Sequence, residues 1–239
     1  MNQSRTISLV LANFDAIRTA GTSNTADFPG LLFFSVGADT RAAITALDSQ
    51  QAFKFVLVGI HEDENSANDF IDNKEAISPW LKEAKETWSA VLQPFHYKGE
   101  ANYLNKENPG KLFEVLAESP GTNVPVVVIT TAGWATLDMN RVKEFGEGAA
   151  GVRISMTAVD GLHSQQSFFF PGVIALDPLT VTLWRDAVSV GKFAYGQSTH
   201  RMQLDKQKAQ NVADRTSFTR CKILSCKGTW HQTDPTKWN

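Results

Sequence analysis

Hydrophobic and polar positions divide the chain into short apolar runs, rich in β-branched and aromatic residues, that are separated by polar segments. Runs of this length and content, bounded by Gly, Pro, Asn or Asp, are typical of β-strands. The pattern therefore predicts eight strands, over residues 6–12, 31–36, 53–60, 93–98, 125–131, 164–170, 179–184 and 218–227.

Four of the segments between these runs predict helices. Residues 14–27 are typical of a short helix followed by a loop. Residues 66–92 predict a helical region that Pro79 divides, and the part after Pro79 carries an apolar stripe at helical spacing. Its members are Trp80, Leu81, Ala84, Trp88 and Val91. Asp138 can cap a third helix, which the glycines between 146 and 151 can interrupt, and a fourth is predicted from Ser198 or Thr199 to about residue 213.

The order β-α-β-β-α-β occurs twice, and similar segments recur 123 positions apart. Val58 corresponds in this way to Val181, and Phe70 to Phe193. The repeat predicts an α+β fold of two tandem ferredoxin-like halves. Each half has one open sheet face, so the two faces can pack together or close as a barrel, with a cavity at the junction.

Domain boundaries follow from this repeat. The first half is predicted over residues 1–99 and the second over 124–239. Residues 100–123, rich in Gly and Pro, are predicted to connect them.

Composition narrows the classes of function. The 239 residues have a net charge of −2, which argues against nucleic-acid binding because no basic excess faces a phosphate backbone. No apolar run approaches the ~20 residues that a membrane-spanning helix needs. The N-terminal residues lack a secretory hydrophobic region, so we expect a cytoplasmic protein.

The two cysteines, Cys221 and Cys226, lie in one predicted strand. Five steps of ~3.3 Å place them roughly 16 Å apart, and the odd spacing predicts that they face opposite sides of the sheet. A disulfide needs Cα atoms within about 7 Å, so we predict that both thiols are free.

His200 is the first candidate for chemistry, because a helix capped at Ser198 or Thr199 places it in the first turn. The positive end of the helix dipole there lowers the pKa of an imidazole. A neutral imidazole is the form that binds a metal or haem iron. A capping or surface role for His200 is the alternative, and His96, in an apolar strand-like setting, is the rival ligand.

Six stretches in the order of the chain resemble the spheroidene monooxygenase-like family of the haem-binding dimeric α/β-barrel superfamily. They are Pro29-Gly-Leu-Leu-Phe-Phe, Phe53-Lys-Phe-Val-Leu-Val, Glu86-Thr-Trp-Ser-Ala-Val-Leu-Gln-Pro, Val181-Thr-Leu-Trp-Arg-Asp, Phe193-Ala-Tyr-Gly with His200, and Gly228-Thr-Trp. The resemblance implies a haem b-dependent monooxygenase of an apolar small molecule, with His200 as the iron ligand. Residues 201–209 depart from the family pattern, so the substrate can differ from a carotenoid.

With haem bound, Phe168, Phe170 and Trp184 are the expected apolar walls of the pocket. Arg153, His163 and Gln166 are the candidate catalytic groups, and Arg153 can instead pair with a haem propionate. A structural role is the alternative for each of them, because the sequence does not fix where these side chains point.

Three classes of function stay open at this point: a haem monooxygenase, another haem reaction such as aldoxime dehydration or nitrogen-oxide chemistry, and a barrel that binds a small apolar molecule without catalysis. The electron donor is not indicated by the sequence, and a homodimer is left open. The glycines at 146, 148 and 151 imitate a dinucleotide-binding pattern but do not follow a strand directly, so a nucleotide site is not expected.

Overall fold

A computed structural model describes residues 5–39, 51–99, 118–136, 138–171, 176–196 and 198–237. Its eight strands close into one antiparallel barrel in the order β1-β3-β2-β6-β7-β5-β8-β4. Their bounds are Thr6–Thr19 (β1), Leu31–Asp39 (β2), Gln51–His61 (β3), Glu86–Gly99 (β4), Val126–Gly133 (β5), Leu162–Pro171 (β6), Leu176–Trp184 (β7) and Arg215–Gly228 (β8).

The barrel order repeats the ferredoxin-like arrangement twice, as β4-β1-β3-β2 and then β8-β5-β7-β6. Two seams join these halves. The β4–β8 seam is long and runs from the Trp88–Gly228 pair to the Gly99–Ser217 pair, whereas two positions of the β2–β6 seam are paired among the described residues. The predicted fold class is thereby confirmed, while the domain boundaries at residues 99 and 124 stay a prediction.

Alternate residues of every strand point into the barrel, as a two-residue period requires. They form one buried apolar cluster in the interior of the barrel. It includes Ile7, Leu9, Leu11, Val56, Val58, Ile60, Trp88, Ala90, Leu92, Val127, Ile129, Phe168, Phe170, Leu179, Val181, Leu183, Cys221 and Trp230. The junction where a cavity was expected is thus lined by closely grouped apolar side chains.

Helices lie against the outer face of the barrel. They are α1 (Glu64–Asp72), α2 (Lys74–Ile77), α3 (Met139–Met156), α4 (Ala187–Gly196) and α5 (Ser198–Gln210), and a 3₁₀ turn spans Pro79–Glu83. Asp138 caps α3 as predicted, by accepting hydrogen bonds from the backbone N–H groups of Asn140 and Arg141. The three α3 glycines do not interrupt the helix.

Two helix predictions were wrong. Residues 14–19 continue strand β1, and no helix follows among the described residues before β2. Residues 86–92 form the first part of β4, in which Trp88 points into the barrel and Val91 points outward to the α1 side. The helical stripe ends at the 3₁₀ turn, where Trp80 and Leu81 are buried.

The equivalent helices α1 and α4 begin in the same way after β3 and β7. Asp63 accepts a hydrogen bond from the backbone N–H of Ser66 at 2.8 Å. Asp186, 123 positions later, accepts one from the backbone N–H of Ser189 at 2.7 Å. A side-chain cap of this type satisfies N–H groups that the helix leaves unpaired, so the repeat in sequence is a repeat of helix starts.

Cys221 and Cys226 are both free, as predicted. Their predicted orientation was wrong, because both contact the interior cluster. The β4–β8 ladder shifts register between the partners of Val91 and Leu92, which leaves Leu224 as an extra residue in β8. This bulge returns Cys226 to the inward face.

In the described parts of the chain, none of the helices is long and apolar enough to span a membrane.

Candidate functional site

The candidate site lies on the outer face of the second half, where α3 and α4 cover β5 and β7. Outward residues of these strands alternate with the interior set and meet apolar side chains of the two helices. This buried outer cluster consists of Phe95, Val126, Val128, Met156, Trp184, Val190 and Phe193. It holds α4 in place and therefore fixes the direction in which the chain enters α5.

His200 is the third residue of α5 and is half-buried beside this cluster. Its Nδ1 lies 3.1 Å from the carbonyl oxygen of Ala194, in the last turn of α4. A carbonyl oxygen only accepts, so Nδ1 carries the proton and donates it. Nε2 then holds the lone pair, and among the described residues it has no hydrogen-bond partner.

Burial lowers the pKa of His200, and the hydrogen bond to the Ala194 carbonyl opposes this effect. The sequence predicted a lowered pKa in the same direction but attributed it to the helix dipole, whereas loss of hydration is the larger cause. The imidazole is consequently neutral near pH 7, and its free nitrogen can bind a metal.

Aromatic rings connect His200 to the sheet. The ring of Phe193 lies 4.9 Å from the imidazole and 5.5 Å from the ring of Trp184, between centroids. Trp184 is 2% exposed, and its indole N–H donates to the hydroxyl of Thr182 at 2.8 Å. The rings of Phe193 and Trp184 thus form an aromatic layer on one side of the imidazole.

The other predicted wall residues lie on the opposite face of the sheet. Phe168 and Phe170 belong to the barrel interior. Gln166 joins them at one end of the interior, where its amide nitrogen donates to Asp39 at 3.2 Å and its oxygen accepts from Lys54 at 3.3 Å. The sheet separates all three of these side chains from His200.

The two remaining candidates are also apart from His200. Arg153 is exposed near the end of α3, and its backbone carbonyl accepts a hydrogen bond from the side chain of Gln165 at 3.0 Å. His163 is half-buried at the start of β6; burial lowers its pKa and Asp234 raises it. Of the predicted site residues, the structure therefore brings only Trp184 together with His200.

Two contacts at this site escaped the sequence analysis. Phe193 links His200 to Trp184, and its recurrence 123 positions after Phe70 was a signal of its importance. Tyr195, on the same helix, has the guanidinium carbon of Arg220 at 6.0 Å from its ring centroid. No sequence signal points to Arg220, because β8 comes beside α4 only in the folded chain.

The rival ligand His96 lies on β4 opposite Arg220 of β8. Burial lowers its pKa, and the positive charges of Arg220 and Lys98 lower it further. It is half-buried, and it has no carboxylate or carbonyl partner that would orient its ring among the hydrogen bonds of the described residues. His200 is thus the better-oriented imidazole of the two.

These residues fit a haem more closely than a bare metal ion. Within the described ranges no group of three or more His, Cys, Asp or Glu side chains could hold a metal ion. Haem iron needs only one protein ligand, and its macrocycle needs apolar walls. An oriented imidazole with a free Nε2, next to Phe193 and Trp184, supplies both requirements on one side of the group.

No protein-family model and no curated protein sequence matches the chain. Among solved structures, aldoxime dehydratase OxdRE in complex with butyraldoxime aligns with a TM-score of 0.53 at 10% identity, over 93% of this chain and 80% of that chain. A second aldoxime dehydratase structure has a TM-score of 0.53 at 9% identity, over 93% and 82%. A Fusobacterium nucleatum protein, whose description suggests a monooxygenase, has a TM-score of 0.39 at 11% identity, over 96% of both chains.

These two alignments, each with a TM-score above 0.5, show that the chain shares the fold of the two aldoxime dehydratases, in agreement with the predicted dimeric α/β-barrel-type fold. Identities near one in ten show the fold alone, so the chemistry has to be argued from the residues of this chain.

Proposed function

We propose that the protein is a haem b-dependent monooxygenase of an apolar small molecule, with His200 as the axial ligand of the iron. The observation that carries this proposal is the imidazole itself. It is half-buried and neutral, its Nδ1–H is fixed on the Ala194 carbonyl, and its Nε2 has no partner among the described residues.

The Ala194 carbonyl has a definite part in this site. An N–H···O=C hydrogen bond fixes the tautomer and the ring orientation of a ligating histidine and makes the other nitrogen more basic. Because the carbonyl belongs to α4 and the imidazole to α5, the angle between the two helices sets the direction of Nε2. The rings of Phe193 and Trp184 lie on one side of the imidazole.

A bound haem would supply the iron chemistry that activates oxygen, which side chains of this kind do not supply. The protein contributes the ligand, the apolar walls and the access of the substrate. Phe168, Phe170 and Gln166 can act only on a molecule inside the barrel, so we do not assign them to this site.

Aldoxime dehydration is the second candidate. Two structures that align with a TM-score of 0.53 are aldoxime dehydratases, and one of them holds butyraldoxime. The need for reductant and dioxygen distinguishes the two proposals. Oxygenation consumes both, whereas dehydration of an aldoxime to a nitrile consumes neither.

The first experiment tests the ligand by adding haem to the purified protein and recording the absorption spectrum and the haem affinity. We expect the wild type to bind haem with a histidine-ligated Soret spectrum. His200→Gln can still donate an amide N–H toward the Ala194 carbonyl, so it should fold normally and lose that spectrum. His96→Gln is the matched control and should keep it.

Two results would contradict the assignment. If His200→Gln keeps the spectrum and the affinity of the wild type, His200 is not the ligand. If the variant loses thermal stability while the wild type shows no Soret band, His200 only caps the last turn of α4. Because burial lowers the pKa of His200, haem affinity should persist below the ordinary histidine value of about 6.5.

The second experiment separates the two reactions. Haem-loaded protein is incubated with an apolar substrate, reductant and dioxygen, and in parallel with butyraldoxime without dioxygen. Oxygenated product in the first mixture supports the monooxygenase, and nitrile in the second supports the dehydratase. Activity that His200→Gln leaves unchanged would contradict both.

A further inference from the structure

Residues 229–237, which follow β8 and are here named the strap, lie across one end of the barrel. Their Trp230 is 1% exposed and belongs to the interior cluster. The ammonium of Lys54, near the start of β3, lies 5.5 Å from the Trp230 ring centroid. Asn13 of β1 pairs with Lys54 of β3 on one side and with Glu86 of β4 on the other. Lys54 and Glu86 therefore lie at the same end of the barrel.

The strap turns in a conformation that its residues do not favour. His231 and Gln232 have φ values of 56° and 61°, and Trp230 and Thr233 exchange backbone hydrogen bonds across them. Two consecutive left-handed residues form the tight turn for which Asn-Gly is the preferred sequence. Neither residue here is Gly or Asn, so other contacts must hold the turn.

One carboxylate supplies those contacts. Glu86 accepts hydrogen bonds from the backbone N–H groups of His231 at 3.2 Å and Gln232 at 2.6 Å. It also accepts one from the hydroxyl of Thr229 at 2.9 Å. Successive left-handed N–H groups form a concave anion site, and here the anion is a side chain of the barrel rim.

Burial of Trp230 is incompletely compensated. Its indole N–H is buried and has no hydrogen-bond partner among the described residues. A buried donor without an acceptor opposes the closed arrangement, because water would satisfy the group if the strap opened. Burial of the Trp230 ring and the hydrogen bonds to Glu86 thus stabilise the closed strap. The left-handed turn and the unpaired indole N–H of Trp230 destabilise it.

Two histidines that can gain positive charge, His231 and His163, belong to the strap and to the neighbouring strand β6. Burial lowers the pKa of His231, Lys54 and His163 lower it further, and Glu86 raises it. On β6, burial lowers the pKa of His163, and Asp234 of the strap raises it.

Further charged groups lie around this end of the barrel. Lys237 pairs with Asp234 at 3.2 Å within the strap. On β2, the carboxylate of Asp39 accepts from Gln166, the residue that also contacts Lys54. The negative charges of Asp234 and Glu86 raise the pKa of His163 and His231 respectively. Burial lowers both pKa values and is the larger effect.

We propose that the strap is an acid-released closure of this end of the barrel, which opens when His163 of β6 and His231 of the strap gain protons. Opening withdraws Trp230 and exposes the end of the apolar interior. The proposal is independent of haem and of His200.

Linkage gives the sign of the effect. A histidine whose pKa is lower in the closed strap than in the open one favours the closed form above its ordinary pKa of about 6.5. As the pH falls below that value, the open form binds more protons and its share rises, by up to about tenfold per pH unit for each histidine. His231 is exposed and His163 is half-buried, so His163 should contribute more.

Hydrogen–deuterium exchange of the full chain, followed by mass spectrometry, measures the opening. Exchange of the peptide that covers the strap is compared between pH 7.0 and 5.5, after division by the rates of an unstructured peptide of the same sequence. We expect its protection to fall about tenfold, while peptides of β5 keep theirs. The double variant His163→Gln, His231→Gln should show no such fall.

Protection that is equal at the two pH values in the wild type would overturn the proposal, as would a fall that the double variant retains. Glu86→Gln is the second variant. It keeps an oxygen acceptor but loses the charge, so strap protection should drop at both pH values with the pH dependence intact. Unchanged protection in Glu86→Gln would overturn the role of this carboxylate.

Discussion

Gly37→Ala tests the seam between β2 and β6, one of the two seams that join the halves of the barrel. Gly37 lies on β2 and faces the interior, one residue before the two positions that pair with β6. A Cβ atom there would lie 2.5 Å from Cε2 and 2.8 Å from Cδ2 of the Phe170 ring, and 3.0 Å from the carbonyl oxygen of Phe169. Glycine is required at this point because the ring of the neighbouring strand occupies the space of a side chain.

The expected cost follows from these distances. Atoms in ordinary contact are about 3.5–4.0 Å apart, so the ring or the strand must move by about 1 Å. Overpacking of this size in a core typically costs about 1–3 kcal/mol. For a chain of this length that corresponds to a fall of roughly 2–12 °C in Tm.

A double-mutant cycle identifies the cause. Phe170→Leu alone should destabilise by about 1–2 kcal/mol, because it leaves a cavity in the interior. It also removes the ring atoms that meet the new Cβ, so Gly37→Ala should cost much less in this background, with a coupling of about 1–2 kcal/mol. Chemical denaturation of the four proteins measures it. Equal costs of Gly37→Ala in both backgrounds would refute the steric explanation.

Two further predictions concern a helix and a buried histidine. In α3 a Cβ at Gly146 or Gly151 meets no atom within 4 Å, whereas one at Gly148 would overlap the side-chain amide of Gln203. Ala at the first two positions should therefore stabilise by about 0.5–1 kcal/mol, and Ala at Gly148 should gain less or destabilise, as thermal denaturation can show. Burial, opposed by Asp63, lowers the pKa of His61 to about 4, so stability should be complete above pH 6.5 and fall by up to about 3 kcal/mol toward pH 4. Denaturation curves should lose this slope in His61→Asn, and a slope of the same size in the variant would contradict the assignment.

The fold was largely readable from the sequence because barrel strands repeat with a period of two. All eight predicted strands occur, and most of their bounds differ from the structure by a few residues at one end or both. Trp88 was wrongly predicted to be helical, because it continues the helical spacing of Trp80 and Leu81. It also alternates with Ala90 and Leu92, as a strand residue does. The local sequence is compatible with both periods. Pairing of residues 86–99 with β1 and β8 makes this segment a strand.

The site was less readable, because it depends on which face of the sheet each residue occupies. Gln166 pairs with Val181, and Trp184 is an odd number of positions from Val181. Trp184 therefore points away from the face that Gln166, Phe168 and Phe170 share. The register of β6 on β7 was needed for that deduction, and the approach of His200 to the Ala194 carbonyl depends further on the angle between two helices.

In the described part of the first half, packing residues occupy the positions equivalent to those of the candidate site. The position 123 residues before His200 is Ile77, at the end of α2, which is buried in the outer cluster of the first half together with Trp80 and Phe70. The position equivalent to Trp184 is His61, whose ring nitrogens are both engaged by serine hydroxyls, at 2.8 Å and 3.0 Å.

The first half has thus used the equivalent space for packing. Its helix cap at Asp63 and its Phe70 match Asp186 and Phe193, so the framework is the same in both halves. What differs is the side chain at the equivalent position, which is the buried Ile77 in one half and the oriented imidazole of His200 in the other. When one of two similar halves provides packing, the other can tolerate polar groups that are strained or lack a partner. A ligand site is expected at such groups.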